Sequence, residues 1–449
     1  MSDDVTERRM PAKTCVIGAG SSGMVAVKAL ADAGLPCDCF EETGEVGGLW
    51  VFGNGRSTAY SSLSINTSRQ RMQYADFAMP AHYPDYPGHA QIAQYFRAYV
   101  ERFELRRHLR FRTRVERVEP LPRGGYAVST SDGATATYGA VIVANGHHWK
   151  PHYPEPPFPG AFAGTSLHSS EYRGPKTPHD FSGERVVVLG FGNSAVDIAC
   201  ELATGGARRV MLATRRGAWV LPKYVLGKPV DQLGTSTGFL PPSLGLRLSE
   251  LLYPLVIGNL RALGLPKPDH PLGGAHPTLS SDLLPLIKAG RVIPKPNLRA
   301  LHGHELEFAD GSREPVDALV YATGYSVSFP FFDEAFVSAP NNELALYFRT
   351  LHPEHAGLYF IGLAQPVGAI MPIAEAQAKL VADCIAGRYA PPAPATMREE
   401  AMAERQDIAN RYVASRRHTM QVDFDAFMAA LKREHAEGRK RAGRQQAPA

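Results

Sequence analysis

Twice in this chain a short apolar run stops at a glycine-rich turn and restarts with helical periodicity. The first run is Thr14 to Ile17, followed by GAGSSG at 18–23; the second is Arg185 to Leu189, followed by GFGNSA at 190–195. A GxGxxG turn between a strand and a helix is a strong constraint, because each glycine answers a different steric demand. The first permits the tight turn, the second lets backbone amides approach a pyrophosphate, and the third lets the helix pack closely on the strand. After the first turn, residues 22–33 read as a helix with Gly23, Val27 and Leu30 on one face, and 36–40 as a strand. After the second, 193–202 read as a helix and 209–213 as a strand. Two such units about 170 residues apart are not a short solenoid repeat. They predict an α/β chain with two dinucleotide-binding, Rossmann-like domains.

A chain of 449 residues is too long for one ordinary core, which agrees with two domains. Between the turns lie a helix pattern at 91–103, strand patterns at 109–118 and 126–130, and an apolar strand at 140–144. Proline-rich sequence at 151–159 reads as a domain crossing. A matching apolar strand occupies 318–322, followed by a strand at 357–362 and a helix at 371–385. Helices are expected over 398–412 and 424–435. The expected organisation makes 1–160 the first part of the first dinucleotide domain and 161–317 a second domain inserted into it. Residues 318–435 complete the first domain, and 436–449 form a disordered basic tail.

The 48 basic and 44 acidic residues leave a formal charge of +4, much of it between Lys432 and Arg444. No clustered basic groove is visible, so a nucleic-acid partner is not expected. The five cysteines sit inside apolar segments without a CxxC pair or metal-ligand spacing, which predicts buried thiols and no metal. The opening MSDDVTERRM lacks the apolar core of a signal peptide, and no apolar run approaches the roughly 20 residues that span a bilayer. A soluble cytoplasmic protein without a membrane anchor is the expectation. A homodimer is a further expectation, with no particular residue behind it.

At the first turn, Gly18, Gly20, Ser21, Ser22 and Gly23 form the expected phosphate cradle, and Glu41, ending the next strand, can accept from a ribose diol. The EVGGLW stretch at 45–50 resembles the loop by which flavoproteins with two dinucleotide domains hold FAD, which favours FAD at this site. At the second turn the corresponding residues are Gly190, Gly192, Asn193 and Ser194. Its second strand ends in Arg215 and Arg216 rather than in an acid. Guanidinium groups suit the 2′-phosphate of NADPH, although two arginines at a strand end can also be plain surface residues.

The segment FAGTSLHSSEYR at 162–173 fits FxGxxxHxxxY(K/R), and with LSINTS at 63–68, ATGY at 322–325 and RHTMQVDF at 417–424 the chain resembles the flavin-containing monooxygenases over nearly its whole length. The related Baeyer–Villiger enzymes usually carry tryptophan where this chain has Tyr172. The resemblance implies that NADPH reduces FAD and that O₂ adds at flavin C4a. The resulting hydroperoxyflavin then gives one oxygen atom to a small amine or sulfide. It assigns Asn66 to the place between flavin and nicotinamide, where an amide can donate and accept at once; a turn-stabilising asparagine is the alternative. It points to Gly48, Leu49, Trp50, Thr67 and Gln365 as flavin contacts. His168 and Tyr172 are assigned to linker geometry and the NADP environment rather than to proton transfer. Rival readings are Baeyer–Villiger oxidation of ketones, a poorly coupled NADPH oxidase, and a sensor that keeps its cofactor sites without catalysis. A disulfide reductase would need a redox cysteine pair at the flavin, and Cys37 and Cys39 lie instead in the strand leading to Glu41.

Overall fold

The computed structural model describes residues 12–233, 250–254, 257–413 and 418–446. Part of the 223–271 stretch, expected from sequence to shape access to the site, and Arg417 of the RHTMQVDF stretch lie outside the described residues. Two all-parallel five-stranded sheets organise the chain. In the first, the strand order is Leu358–Phe360, Ala140–Val143, Thr14–Ile17, Cys37–Phe40, Leu109–Arg110. In the second it is Thr165–His168, Ala318–Tyr321, Arg185–Leu189, Arg209–Thr214, Val292–Pro296. The chain leaves the first sheet after Val143, builds the whole second sheet, and returns at Leu358, so the second unit is an insertion into the first.

The continuous apolar runs that announced these strands follow from burial on both faces, as parallel sheets require. Val16 points into a core with the helices Ser21–Asp32, His89–Arg102 and Ile370–Ile385, while Cys15 and Ile17 point into another with Val118, Val128 and Phe329. In the second sheet Val186 and Val188 face the helix Asn193–Thr204, and Val187 and Leu189 face Leu306 and Phe308 of an antiparallel hairpin. Alternate side chains thus serve opposite cores. Each glycine turn sits at the carboxyl end of a central strand flanked by neighbours reached in opposite directions. This is the crevice where open α/β sheets bind ligands.

Two sequence expectations are corrected. Strand Ala318–Tyr321 pairs with both Thr165–His168 and Arg185–Leu189, so it closes the second unit instead of opening the return to the first. The boundary belongs after Tyr321, because this strand is the second sheet's counterpart of Ala140–Val143. The tail expected to be disordered from residue 436 is helical, within Phe424–Gln446. Arg439, Lys440 and Arg441 have acidic partners. Arg439 Nε lies 2.9 Å from Asp383 and Arg441 pairs with Glu434, while His435 Nε2 meets Asp383 at 2.8 Å. Gly438 lets the helix approach the Tyr389 ring, which a Cβ there would strike at 2.0 Å. The sequence patterns at 109–118 resolve into two strands, Leu109–Arg110 and Val115–Pro120, which join different sheets.

Candidate cofactor and active site

At the first turn Gly18 has φ +96°, and a Cβ there would lie 2.8 Å from the Ala144 carbonyl oxygen. Gly23 is the packing glycine, since its Cβ would come within 1.8 Å of the Gly18 oxygen. Gly20 differs from both. A Cβ on it would meet only the Gly48 Cα, at 3.9 Å, so the space above it is open to a ligand. Gly20 also caps helix Ser21–Asp32 without a side-chain hydrogen bond, which leaves the first-turn amides, those of Ser21, Ser22 and Gly23, free of a capping side chain. The Gly47 amide donates to the Ala19 carbonyl at 3.0 Å and brings Gly48, Leu49 and the half-buried Trp50 over this turn. An open face above Gly20, bare helix amides and a covering loop fit a pyrophosphate.

Glu41 is buried beside the turn. Its Oε2 accepts from the Ala19 amide at 2.9 Å, and its Oε1 accepts from the Thr43 amide and hydroxyl at 2.9 and 2.8 Å. A carboxylate oxygen has two acceptor positions, so Oε2 keeps one for a ribose hydroxyl. Glu41 therefore braces the turn, a role its position in the sequence did not reveal.

At the second turn Gly190 has φ +135° and a Cβ there would lie 2.4 Å from the Ala322 oxygen. Gly192 caps helix Asn193–Thr204, again with no side-chain cap. Asn193 Oδ1 accepts from the Leu279 amide at 2.8 Å, which ties the side chain to the Leu279 backbone and leaves its NH₂ to donate. The two arginines separate clearly. Arg216 Nε is engaged by Asp269 Oδ2 at 2.6 Å, whereas Arg215 is exposed and has no ion pair or hydrogen bond among the described residues. The Asp269 loop is itself fixed, because the Trp219 indole donates to the His270 carbonyl at 3.0 Å.

His168 and Tyr172 lie at and just after the end of strand Thr165–His168, where the chain enters the second unit. Both are fully buried. His168 ends the strand Thr165–His168, its Nδ1 accepts from the Ser170 amide at 3.1 Å, and its ring lies 5.4 Å from those of Tyr153 and Tyr325. Burial lowers its pKa to about 4, so the ring is neutral near pH 7. Tyr172 packs between Tyr60 and Phe181, with burial pushing its phenol well above the usual range.

Asn66 is half-buried and its side chain makes no hydrogen bond among the described residues. Its neighbours are tied down instead. The Thr67 hydroxyl donates to the Gly368 carbonyl at 3.2 Å, next to Gln365, and the Ser68 amide donates to Asp231 Oδ2 at 2.8 Å in the second unit. The structure thus groups Thr67 with the Gln365 loop, and the Tyr74 hydroxyl links the same segment to the first turn through the Ser21 carbonyl at 2.7 Å. Sequence reasoning missed Tyr60, Asp197 and Asp269. Their only local signal was an acid among the apolar residues of helix Asn193–Thr204. No group of three or more metal-ligating side chains occurs among the described residues, and no helix described is long and apolar enough to cross a membrane.

The family described as flavin-binding monooxygenase-like matches residues 11–437. The chain is 38% identical to human flavin-containing monooxygenase 5 over 441 residues, 93% of this chain and 82% of that one. It is 32% identical over 446 residues to the dimethylaniline monooxygenase (N-oxide-forming) 2 of Pan troglodytes, covering 94% and 82%. Among solved structures, the S-allyl-L-cysteine S-oxygenase of Allium sativum superposes with a TM-score of 0.71 at 23% identity, over 95% of this chain and 88% of that one, a likeness of fold. The chain belongs to the flavin-binding monooxygenase family and is an NADPH-dependent flavin monooxygenase that uses FAD.

Proposed function

We propose that this monooxygenase places one oxygen atom of O₂ on the nitrogen or sulfur of a small, soft nucleophile. In this reading FAD lies at the first turn, NADPH at the second, and Asn66 between them. The observation that carries it is the Asn66 amide, which has no hydrogen-bond partner among the described residues although its segment is fastened to both units. A turn-stabilising asparagine would spend its amide on the backbone. Bound FAD supplies the activation of oxygen, and the chain's own residues bind, orient and exclude water. Gly20 and the Ser21–Gly23 amides hold the pyrophosphate, Glu41 the ribose, and Leu49, Trp50, Thr67 and Gln365 the ring system. Gly190, Gly192 and the Asn193–Ser194 amides hold the second pyrophosphate, and Arg215 the 2′-phosphate. His168 and Tyr172 shape the crossing between units from inside the core. The relative described as an N-oxide-forming dimethylaniline monooxygenase, 32% identical, supports the choice of nitrogen as an acceptor atom.

The test pairs a substrate panel with one variant. A tertiary amine, a thioether and a simple ketone are offered with NADPH, and products are counted against NADPH consumed. N-oxide or S-oxide is the expected product, and ester formation alone overturns the reading in favour of Baeyer–Villiger oxidation. Asn66→Ala removes a donor from a water-excluded site, so product per NADPH falls by about tenfold or more while hydrogen peroxide rises. Coupling as tight as that of the unaltered protein removes Asn66 from the site.

A further inference from the structure

The segment 57–71 carries Asn66 and runs along the seam between the two units. Its polar contacts reach across that seam repeatedly. Arg173 donates to the Ser57 carbonyl at 2.7 Å, the Ser61 amide to the Arg173 carbonyl at 2.8 Å, and Lys223 Nζ to Ser64 Oγ at 2.8 Å. Arg71 donates to the Asp231 carbonyl at 2.9 Å. Among the described residues the side-chain hydrogen bonds from this segment to the helix that begins at the second turn come from Tyr60 and Ser61. The Tyr60 hydroxyl donates to Asp197 Oδ2 at 2.7 Å, and the Ser61 hydroxyl meets Glu201 one turn further on.

Tyr60 is only 3% exposed and packs on Tyr172, so its hydroxyl is held in a core of the second unit although its segment belongs to the first. Asp197 is half-buried on a helix face it shares with Asn193, Ser194, Cys200 and Glu201, and it is turned toward the Tyr60 hydroxyl. The groups facing Asp197 are Tyr60 from the segment, Cys200 and Glu201 from its own helix, Lys223 from beyond the next strand, and Asp282 from the start of helix Leu283–Lys288. Lys223 is the one cation among them, and its ammonium is committed to Ser64 of the same segment.

We infer that Tyr60 and Asp197 are the fastening that holds segment 57–71, and with it Asn66, in register with the helix of the second turn. Asp197 is a positioning residue that acts through Tyr60, one turn along the helix from Asn193. The inference rests on the reading of Asn66 given above for its consequence in turnover, but not for the fastening itself.

The experiment uses the FAD-loaded full chain and begins without NADPH. Amide hydrogen exchange is followed in 58–68 and in the central strand Thr14–Ile17 as an internal reference. Tyr60→Phe removes the donor and is expected to raise exchange in 58–68 about tenfold while the reference strand and the flavin content stay as they were. Asp197→Asn keeps an acceptor oxygen, so Tyr60 retains a neutral hydrogen bond and exchange rises by less, whereas Asp197→Leu behaves like Tyr60→Phe. In turnover, Tyr60→Phe lowers product per NADPH with KM for NADPH within about twofold, since the second turn is untouched. Unchanged exchange in both Tyr60→Phe and Asp197→Leu overturns the fastening whatever Asn66 does. Raised exchange with tight coupling overturns the positioning role if Asn66→Ala is uncoupled. If Asn66→Ala is tightly coupled as well, the fastening stands and the reading of Asn66 falls.

Discussion

The two glycine turns share a plan and differ in how much of the site the protein has already filled. Both begin with a glycine in the left-handed region, under the carbonyl of the neighbouring strand's end, and both open onto a helix whose first amides lack a side-chain cap. In the first turn the helix comes so close that position 23 must be glycine, Glu41 braces the Ala19 amide, and residues 47–50 cover the cradle. In the second, the helix stands far enough off for Ala195, which is fully buried, and the rim carries an exposed Arg215 with no ion pair among the described residues. A braced, covered cradle suits a ligand that stays with the protein. An open rim with a free cation suits one that is recognised by charge and exchanged. The difference lies in packing and in which acceptors are already taken, not in the turn motif.

The largest effect should come from filling the first cradle. Gly20→Val places its branch where only the Gly48 Cα lies near, so the protein alone accommodates it, but a pyrophosphate does not. The expected outcome is a folded, colourless protein with essentially no flavin, read by absorbance of the purified chain and by thermal unfolding near that of the apoprotein. Gly23→Ala should instead fail to fold, because its Cβ meets the Gly18 oxygen at 1.8 Å. A yellow Gly20→Val protein would break the comparison by moving FAD away from the first turn.

The same contrast explains what could be read in the sequence. Both turns, both central strands and the insertion of one unit into the other were legible, because steric demands on glycine and burial on two faces leave local signatures. The boundary at Ala318 was misplaced because an apolar strand does not name its partners. Whether it pairs with Thr14–Ile17 or Arg185–Leu189 is decided by non-local packing. The helical tail was missed because Lys432 to Arg444 reads as solvated charge unless Asp383, Glu434 and Tyr389 are known to receive it. Among site residues, motif positions were legible and their occupancy was not. Nothing local distinguishes Arg215 from Arg216 until Asp269, more than fifty residues later, is seen to hold one of them.

That distinction gives the next prediction. If the open rim reads the 2′-phosphate, Arg215→Ala should raise KM for NADPH by about tenfold or more and leave NADH nearly unchanged, because a charge-assisted hydrogen bond is lost for one cofactor only. Arg216→Ala breaks a pair whose side chains are 41% and 43% exposed, and such pairs contribute little, so its effect should stay within about twofold. Steady-state kinetics with both nucleotides decides between them. Equal effects would show that the Asp269 pair opens when NADPH binds, and no effect from either would remove the phosphate from this rim.

The smallest expected effect concerns the seam where the two halves of the comparison meet. Burial is the main cause that raises Asp197 from the ordinary 3.8 to about 6, opposed by the Tyr60 hydrogen bond and by Lys223. The folded chain therefore holds this proton to higher pH than the unfolded chain does. The resulting contribution to stability is present in full below about pH 4 and is lost as pH rises through about 6. Asp197→Asn cannot ionise, yet its amide oxygen still accepts from Tyr60. The variant's melting temperature should gain on that of the unaltered protein between about pH 4 and 6 and stay level above that, by an amount on the order of one or two degrees for a chain of this size. The comparison is a difference between two proteins at each pH, so the titration of every other group shared by both cancels. A difference that stays flat from pH 4 to 8 would mean that the carboxylate is solvated, and that burial at the seam does not govern its charge.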